Sequence, residues 1–504
     1  MNKKIKLLAA VPVIGLFALT SCNQGSTTGG SKTINIWTGF GESMTTQLVN
    51  ILNDYETDHE GWEVVHTGQG GYDNLLAAIV GSVSTRTYPQ LAVAYPDHMA
   101  QYQESGILFD LTSTIEEQDM DLDKFYSNYL QENLEIVPEH VMGLPFNKST
   151  EVLTTNRTFI DVLIKMTANK TGADKITTVP TTWQEMETFG LATLKVLKET
   201  GAFNKVIGAD GVVYENAVAA GEAGQDVAID LTNVGENDFR VCSYDSQANF
   251  FITMVRQWGG TYTTVETLAN GKTQGFMQYK SSETVEMLKF FNRLFREGLI
   301  GIPSTFGESS YTSTPFKAYK TIFTIGSSAG VSNCVQDGIE VEINPLPYNA
   351  DKPEAKYVIS QGTNLVMFKN TDAENRAQTF DLLKTLTYDP EVNATFAKNT
   401  GYIPVTTDAY ESTVYQDYLN DQSLTGTSKT MRDAVKLNFE VYQGGDGWTQ
   451  YVDPGFVGSS SIRSNVSGIM AACGDATEEQ AASDDFWFDL LDSYYQLNPN
   501  NIPA

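Results

Sequence analysis

The chain has 504 residues, with 62 Asp+Glu against 33 Lys+Arg, a formal charge of −29, and only four Cys and four His. That charge repels polyphosphate and anionic lipid alike, which excludes nucleic acid as a partner and gives the body of the chain no electrostatic reason to lie on a membrane. Apolar residues at 41% with only 19% charged describe a folded chain rather than an acidic disordered tail, long enough for two large lobes or up to three domains.

Residues 1–21 read as an export signal: Lys3, Lys4 and Lys6 are followed by an apolar run at 7–19 and by the small residues Thr20 and Ser21. The run is too short to span a bilayer. The order LTSC at 19–22 resembles the bacterial lipobox, which implies cleavage before Cys22 and acylation of its thiol. Residues 22–32 are rich in Gly, Ser and Thr and read as a lipidated flexible tether. Loss of the signal removes three lysines and takes the body from −29 to −32. Cys242, Cys334 and Cys473 cannot all pair with one another, and scattered cysteines read as buried thiols, with one disulfide the alternative. No metal-type C-x-x-C spacing occurs.

From residue 33 strands and helices alternate. TINIW at 33–37 is a strand, and Met44, Leu48, Ile51, Leu52 and Tyr55 then share one helical face. A strand at 62–67 precedes a helix carrying Leu75, Leu76, Ile79, Val80 and Val83. A third strand at 91–95 ends at Pro96, with Asp97 the expected N-cap of a helix that runs to Gly106. Three such units imply a parallel sheet covered by helices, with ligands beyond the carboxyl ends of the strands. That rule gathers residues 37–40, 70–73 and 95–98 around one crevice.

Farther on, helices are predicted at 247–258, 282–296 and 373–387, and strands at 321–325 and 363–368. Residues 202–235, rich in Gly, Asn and Val, read as hairpins or an insertion, and prolines at 89, 180, 345 and 347 mark loops. The expected division is a first lobe begun by 33–150, a second lobe mainly within 151–360, and crossing segments, a returning strand and C-terminal helices in 361–504.

Enzyme motifs fail on inventory. GSSAG at 326–330 fits a nucleophile elbow, but all four histidines (His59, His66, His98, His140) precede it, against the order an α/β-hydrolase needs. It reads better as a turn opening a helix whose N–H groups and hydroxyls face a polar ligand. Asp119, Asp121 and Asp123 imitate a calcium loop, yet Lys124 and Leu130 stand where Gly and Glu are required, so this is a solvated loop. There is no H-E-x-x-H and no phosphate-binding P-loop, and no cofactor or metal is expected.

Several segments together resemble bacterial extracellular solute-binding proteins of the sugar and glycerol-phosphate group, in lipoprotein form: INIWTGFG at 34–41, PQLAVAYPD at 89–97, GLPFNKSTEVL at 143–153, PTTW at 180–183, QGTNL at 361–365 and TGYIP at 400–404. The resemblance spans about residues 33 to 470. It implies a two-lobed α/β fold of the periplasmic-binding-protein type, each lobe a mainly parallel sheet flanked by helices, with a hinge between. It also implies a non-enzymatic monomer that takes a carbohydrate in the interlobe cleft and delivers it to the permease subunits of an ABC importer. Contact with the membrane is through the lipid anchor alone, at the extracellular or periplasmic face.

Carried over residue by residue, the resemblance assigns ligand contact to Tyr72, which can stack on a sugar and donate from its hydroxyl, with packing on its own lobe the competing role. Ser149 is assigned a ligand hydrogen bond against an ordinary serine turn. Asp97 and His98 stand at an acidic contact position, Asp97 doubling as the expected N-cap. Tyr244, Asp245, Ser327, Ser328, Gly362 and Tyr402 match further cleft positions. Trp37 and Phe40 wall the site, with core packing the stronger role for Trp37. Glycerol-phosphate binders hold the phosphate with an Arg beside a Gly-Asn pair, whereas here Arg463 follows PGFVGSSSI at 454–462, so a neutral sugar is preferred over a glycerol phosphate or phosphodiester. A surface-anchored glycan hydrolase or an adhesin is the alternative from another class.

Overall fold

Residues 32–267 and 273–503 are described by the structure, a computed structural model. The signal, Cys22 and most of the tether expected from the sequence lie outside the described residues. The three strand–helix units form as periodicity predicts: β1 (Thr33–Thr38), α1 (Glu42–Asp58), β2 (Glu63–Gly68), α2 (Tyr72–Ser82), β3 (Leu91–Ala94) and α3 (Pro96–Glu104). β1 runs parallel between β2 and β3, Thr33 opposite Glu63 and Ile36 opposite Leu91. Alternation along β1 turns Ile34 and Ile36 inward, where they meet Leu48, Leu52 and Tyr55 of α1 and all of β3 in a first core.

The strand β4 (Leu144–Asn156) is buried along all 13 residues. It gives Leu144 and Phe146 to the first core, and Val152 and Leu153 to a second, larger one. Antiparallel beside it runs a return strand, Lys356–Met367, from Ser360 opposite Thr150 to Leu365 opposite Leu144. The return strand works in the reverse sense, with Val358 and Ile359 in the second core and Leu365, Val366 and Met367 in the first. In the second lobe β4 pairs antiparallel with Phe323–Ser327 and with Val341–Asn344. Cys242–Tyr244 and Ile300–Gly301 extend that sheet in parallel. The result is a two-lobed α/β fold of the periplasmic-binding type, its lobes joined by two crossing strands.

Where they cross, Gly362 has φ +95° and a Cβ there would stand 1.9 Å from the Asn147 carbonyl oxygen, so both the conformation and the space require glycine. The register slips between Thr363 and Asn364. Lys148, fully buried at this point, pairs with Glu132 and donates to the Gly362 carbonyl at 3.4 Å.

Two expectations about the elements need correction, while the hairpins and the buried thiols form as expected. Asp97 is not the N-cap of α3: Tyr95 holds that place, Pro96 is the first helical residue, and no side chain caps the helix. The strand expected at 363–368 begins at Lys356, because Lys356–Ile359 pair with Trp448–Tyr451 and the polar Ser360-Gln361-Gly362 stretch pairs with β4. Residues 202–235 form a small antiparallel sheet with Val206–Gly208 between Val213–Tyr214 and Val227–Asp230. Cys242, Cys334 and Cys473 are free and buried. Among the described residues no helix is long and apolar enough to cross a membrane, and no group of three or more His, Cys, Asp or Glu is placed to hold a metal ion.

Candidate ligand-binding cleft

A cleft of about 770 Å³ lies against the crossing strands, lined from the first lobe by the starts of α1, α2 and α3 and from the second by the turn after Phe323–Ser327 and one face of the helix Ser459–Asp475. Three helices begin here because each follows the carboxyl end of a parallel strand. The turns before them are tight. Gly70 and Gly71 have φ +74° and +141°, and a Cβ on Gly39 would stand 2.7 Å from the Gly71 carbonyl carbon.

That turn sets Tyr72 at the first position of α2, its ring edge-on to Tyr95 at 4.8 Å between centroids. The Tyr72 hydroxyl is shut off from solvent, facing the Tyr402 hydroxyl and the Asn147 side chain. Burial, reinforced by the neighbouring Tyr402 and Tyr95, holds it neutral, well above the usual tyrosine range. Burial does the same for Tyr402. His98 is only 2% exposed, stands edge-on to Tyr95 at 5.6 Å, and its Nδ1 is unpartnered. Asp97, with no cap to serve, joins the lining.

The facing wall is a connected polar network. Arg463 donates to Asn249 Oδ1 and lies 3.8 Å from Asp453, whose other oxygen accepts from Thr263 Oγ1 at 3.2 Å. Burial pushes the Asp453 carboxyl up to about 7 against the pull of Arg463, with Asp97 adding to the rise. Asn249 Nδ2 donates to Glu151 at 2.9 Å, and the Tyr244 hydroxyl donates to the other Glu151 oxygen. Burial lifts Glu151 to about 8, the Tyr244 bond and Arg463 opposing it and Asp245 adding to it. Asp245 is also raised by burial, and one oxygen accepts from the Thr312 amide at 2.7 Å and its hydroxyl at 2.5 Å. Chemically the site offers aromatic faces, hydroxyls, and carboxyls that accept or donate, a set for holding a polyhydroxylated solute in place.

Residues 50–420 match the family described as bacterial extracellular solute-binding protein. The chain belongs to that family. An sn-glycerol-3-phosphate-binding periplasmic protein, UgpB of Yersinia enterocolitica, is 20% identical over 391 residues, 76% of each chain. Among solved structures, UgpB from Mycobacterium tuberculosis in complex with glycerophosphocholine superposes with a TM-score of 0.65 at 13% identity, covering 93% of this chain and 98% of that one. The GacH receptor of Streptomyces glaucescens, solved unliganded and with acarbose, gives 0.62 at 13% identity over 92% and 98%. Proteins of this family bind small molecules and work with the permeases of ABC importers.

Of the residues singled out in the sequence of this solute-binding protein, Tyr72, Asp97, His98, Ser149, Asp245, Ser327, Gly362, Tyr402 and Arg463 line the cleft together. Four others lie elsewhere. Phe40 is 5% exposed, packed between Phe146 and Phe396 at 6.4 and 6.3 Å. Trp37 packs half-buried against the first core. Tyr244 stacks on Phe250 at 4.5 Å, on the core side of a strand whose next residue, Asp245, faces the cleft. Ser328 is fully buried, its hydroxyl accepting from the Thr150 amide at 3.2 Å, while Ser327 caps the short helix Ser328–Cys334 from the cleft side.

Sequence reasoning missed Glu151, Asn249, Tyr311, Asp453, Ser460, Ser464 and Ser467. One signal was present: Ser460, Arg463, Ser464 and Ser467 recur at helical spacing, opposite Ile462, Val466, Ile469, Met470 and Cys473 in the core.

Proposed function

We propose that this solute-binding protein captures a carbohydrate, a mono- or oligosaccharide without a phosphate, between its lobes and delivers it as a monomer to the permease subunits of an ABC importer. The observation that supports this reading is the cleft lining: seven carboxyl groups, of which burial raises Glu151, Asp245 and Asp453, and a single guanidinium, Arg463, which already faces Asp453 and Asn249. A phosphate entering such a site meets a repulsive field, whereas sugar hydroxyls meet serines, carboxyls and tyrosine faces. The second reading, a glycerol-phosphate or phosphodiester receptor, draws on the UgpB relatives and on Arg463. Calorimetric titration with a broad sugar panel and with glycerol phosphates separates them. Binding of a sugar near 1:1, with compaction in small-angle scattering and no competition by inorganic phosphate, is expected. Binding of glycerol phosphates alone, competed by phosphate, would overturn it.

The same proposal includes acylation of Cys22 and anchoring at the outer face of the membrane. Expression of Cys22→Ser should release the protein from the membrane fraction, and mass spectrometry of the wild type should find acyl chains on the N-terminal peptide.

A further inference from the structure

The acids of the cleft are unequally balanced. Glu132 is paired with Lys148, and Asp453 faces Arg463 at 3.8 Å. Glu42, Asp73, Asp97, Glu151 and Asp245 have no ion-pair partner among the described residues. Asp245 is the most constrained of these. Its Oδ1 takes both bonds from Thr312, while Oδ2 accepts none among the described residues and lies over Gly326, where a Cβ would stand 2.3 Å away. Gly326 thus leaves the free oxygen room in the lining. The residue next to Thr312 in the chain is Tyr311, a cleft residue that is 70% exposed. A carboxylate with one vacant oxygen and an uncovered aromatic ring, both lining one cleft, are features that recognise an ammonium group. Burial disfavours the Asp245 anion, and the two bonds from Thr312 oppose that effect.

The other wall supplies an independent sign that the ligand completes the site. His98 Nδ1 is enclosed in the lining and has no hydrogen-bond partner among the described residues. A buried polar group left unpaired is unfavourable until a ligand atom reaches it.

Resting on the carbohydrate reading, we infer that this cleft selects an aminated sugar: Asp245 and the Tyr311 ring hold its protonated amine, while Tyr72 and His98 meet hydroxyls at the first-lobe end. An oligosaccharide is long enough to bridge the two walls with the amine at one end.

The test compares each sugar that binds with its amino counterpart, glucosamine and galactosamine oligomers against their N-acetylated and hydroxyl forms, by calorimetry at pH 7. The amino form should bind about tenfold tighter, and the advantage should shrink as NaCl rises from about 0.05 to about 0.5 M. The amino-to-neutral ratio should collapse to about twofold in Asp245→Asn and fall partway in Tyr311→Leu, a surface change that leaves the fold intact. Equal or weaker binding of every amino form, or equal loss of both forms in Asp245→Asn, would overturn the inference while leaving the carbohydrate reading standing. If no sugar of any kind binds, both fall, and the absence of binding by the neutral sugars identifies the earlier reading as the one at fault.

Discussion

The two walls of the cleft use opposite strategies. The first-lobe wall is a cluster of rings, Tyr72, Tyr95 and His98, in which His98 Nδ1 has no partner among the described residues. The second-lobe wall is a chain of satisfied bonds running from Asp453 through Arg463, Asn249 and Glu151 to Tyr244. Groups that already have partners stabilise the empty protein, and groups without them hold their binding energy for the ligand. Loss of Arg463, the hub of the second wall, should therefore lower stability and affinity together, whereas loss of a cleft-facing group on the first should lower affinity alone.

The largest effect is expected for Arg463→Ala, which strips Asn249 and the buried Asp453 of a shared partner. Solute affinity should fall about a hundredfold and unfolding free energy by roughly 2–3 kcal/mol, measured by calorimetric titration and denaturant unfolding. Unchanged stability would break the contrast between the walls. On the other side, Tyr72→Phe should weaken solute about fivefold, roughly 1 kcal/mol, with the melting temperature of the empty protein little changed.

Glu151→Gln sharpens the comparison through pH. The folded protein keeps the Glu151 proton up to about 8, whereas the unfolded chain gives it up near 4.5, so the native state binds more protons between those values. Stability from this group is full below about 4.5 and declines as pH rises toward 8. The variant should match the wild type near pH 5 and melt a few degrees higher near pH 8, in scanning calorimetry across that range. Asp453, raised to about 7, contributes a decline of the same sign, so the wild-type slope should be reduced rather than abolished. The smallest effect is expected for Ser467→Ala at the end of the serine face, less than about threefold in affinity with no change in melting, the size of one solvent-accessible hydrogen bond.

The sequence carried the first lobe well because its strands and helices are long enough for period 2 and period 3.6 to be counted, and because the strand-end rule then places α2 and α3 at the ligand. It carried less of the site because a step of one residue reverses a side chain. Tyr244 and Asp245 are neighbours, as are Ser327 and Ser328, and in each pair one faces the cleft and the other the interior. Which one does so depends on the pleat of a strand whose register is fixed by β4, far away in sequence. Asp453 lies in an irregular segment with no periodicity at all, and its position is fixed by Gly455, where a Cβ would stand 2.2 Å from the Pro96 carbonyl oxygen.

The crossing strands also bear on how the chain is made. The first core needs Ile34 from one part of the sequence and Val405 from another, some 370 residues later, with β4 and the return strand shared between both cores. Loop closure over such distances is slow, so native-like burial waits until nearly the whole polypeptide is available. The shared strands thereby tie the two lobes into one folding unit.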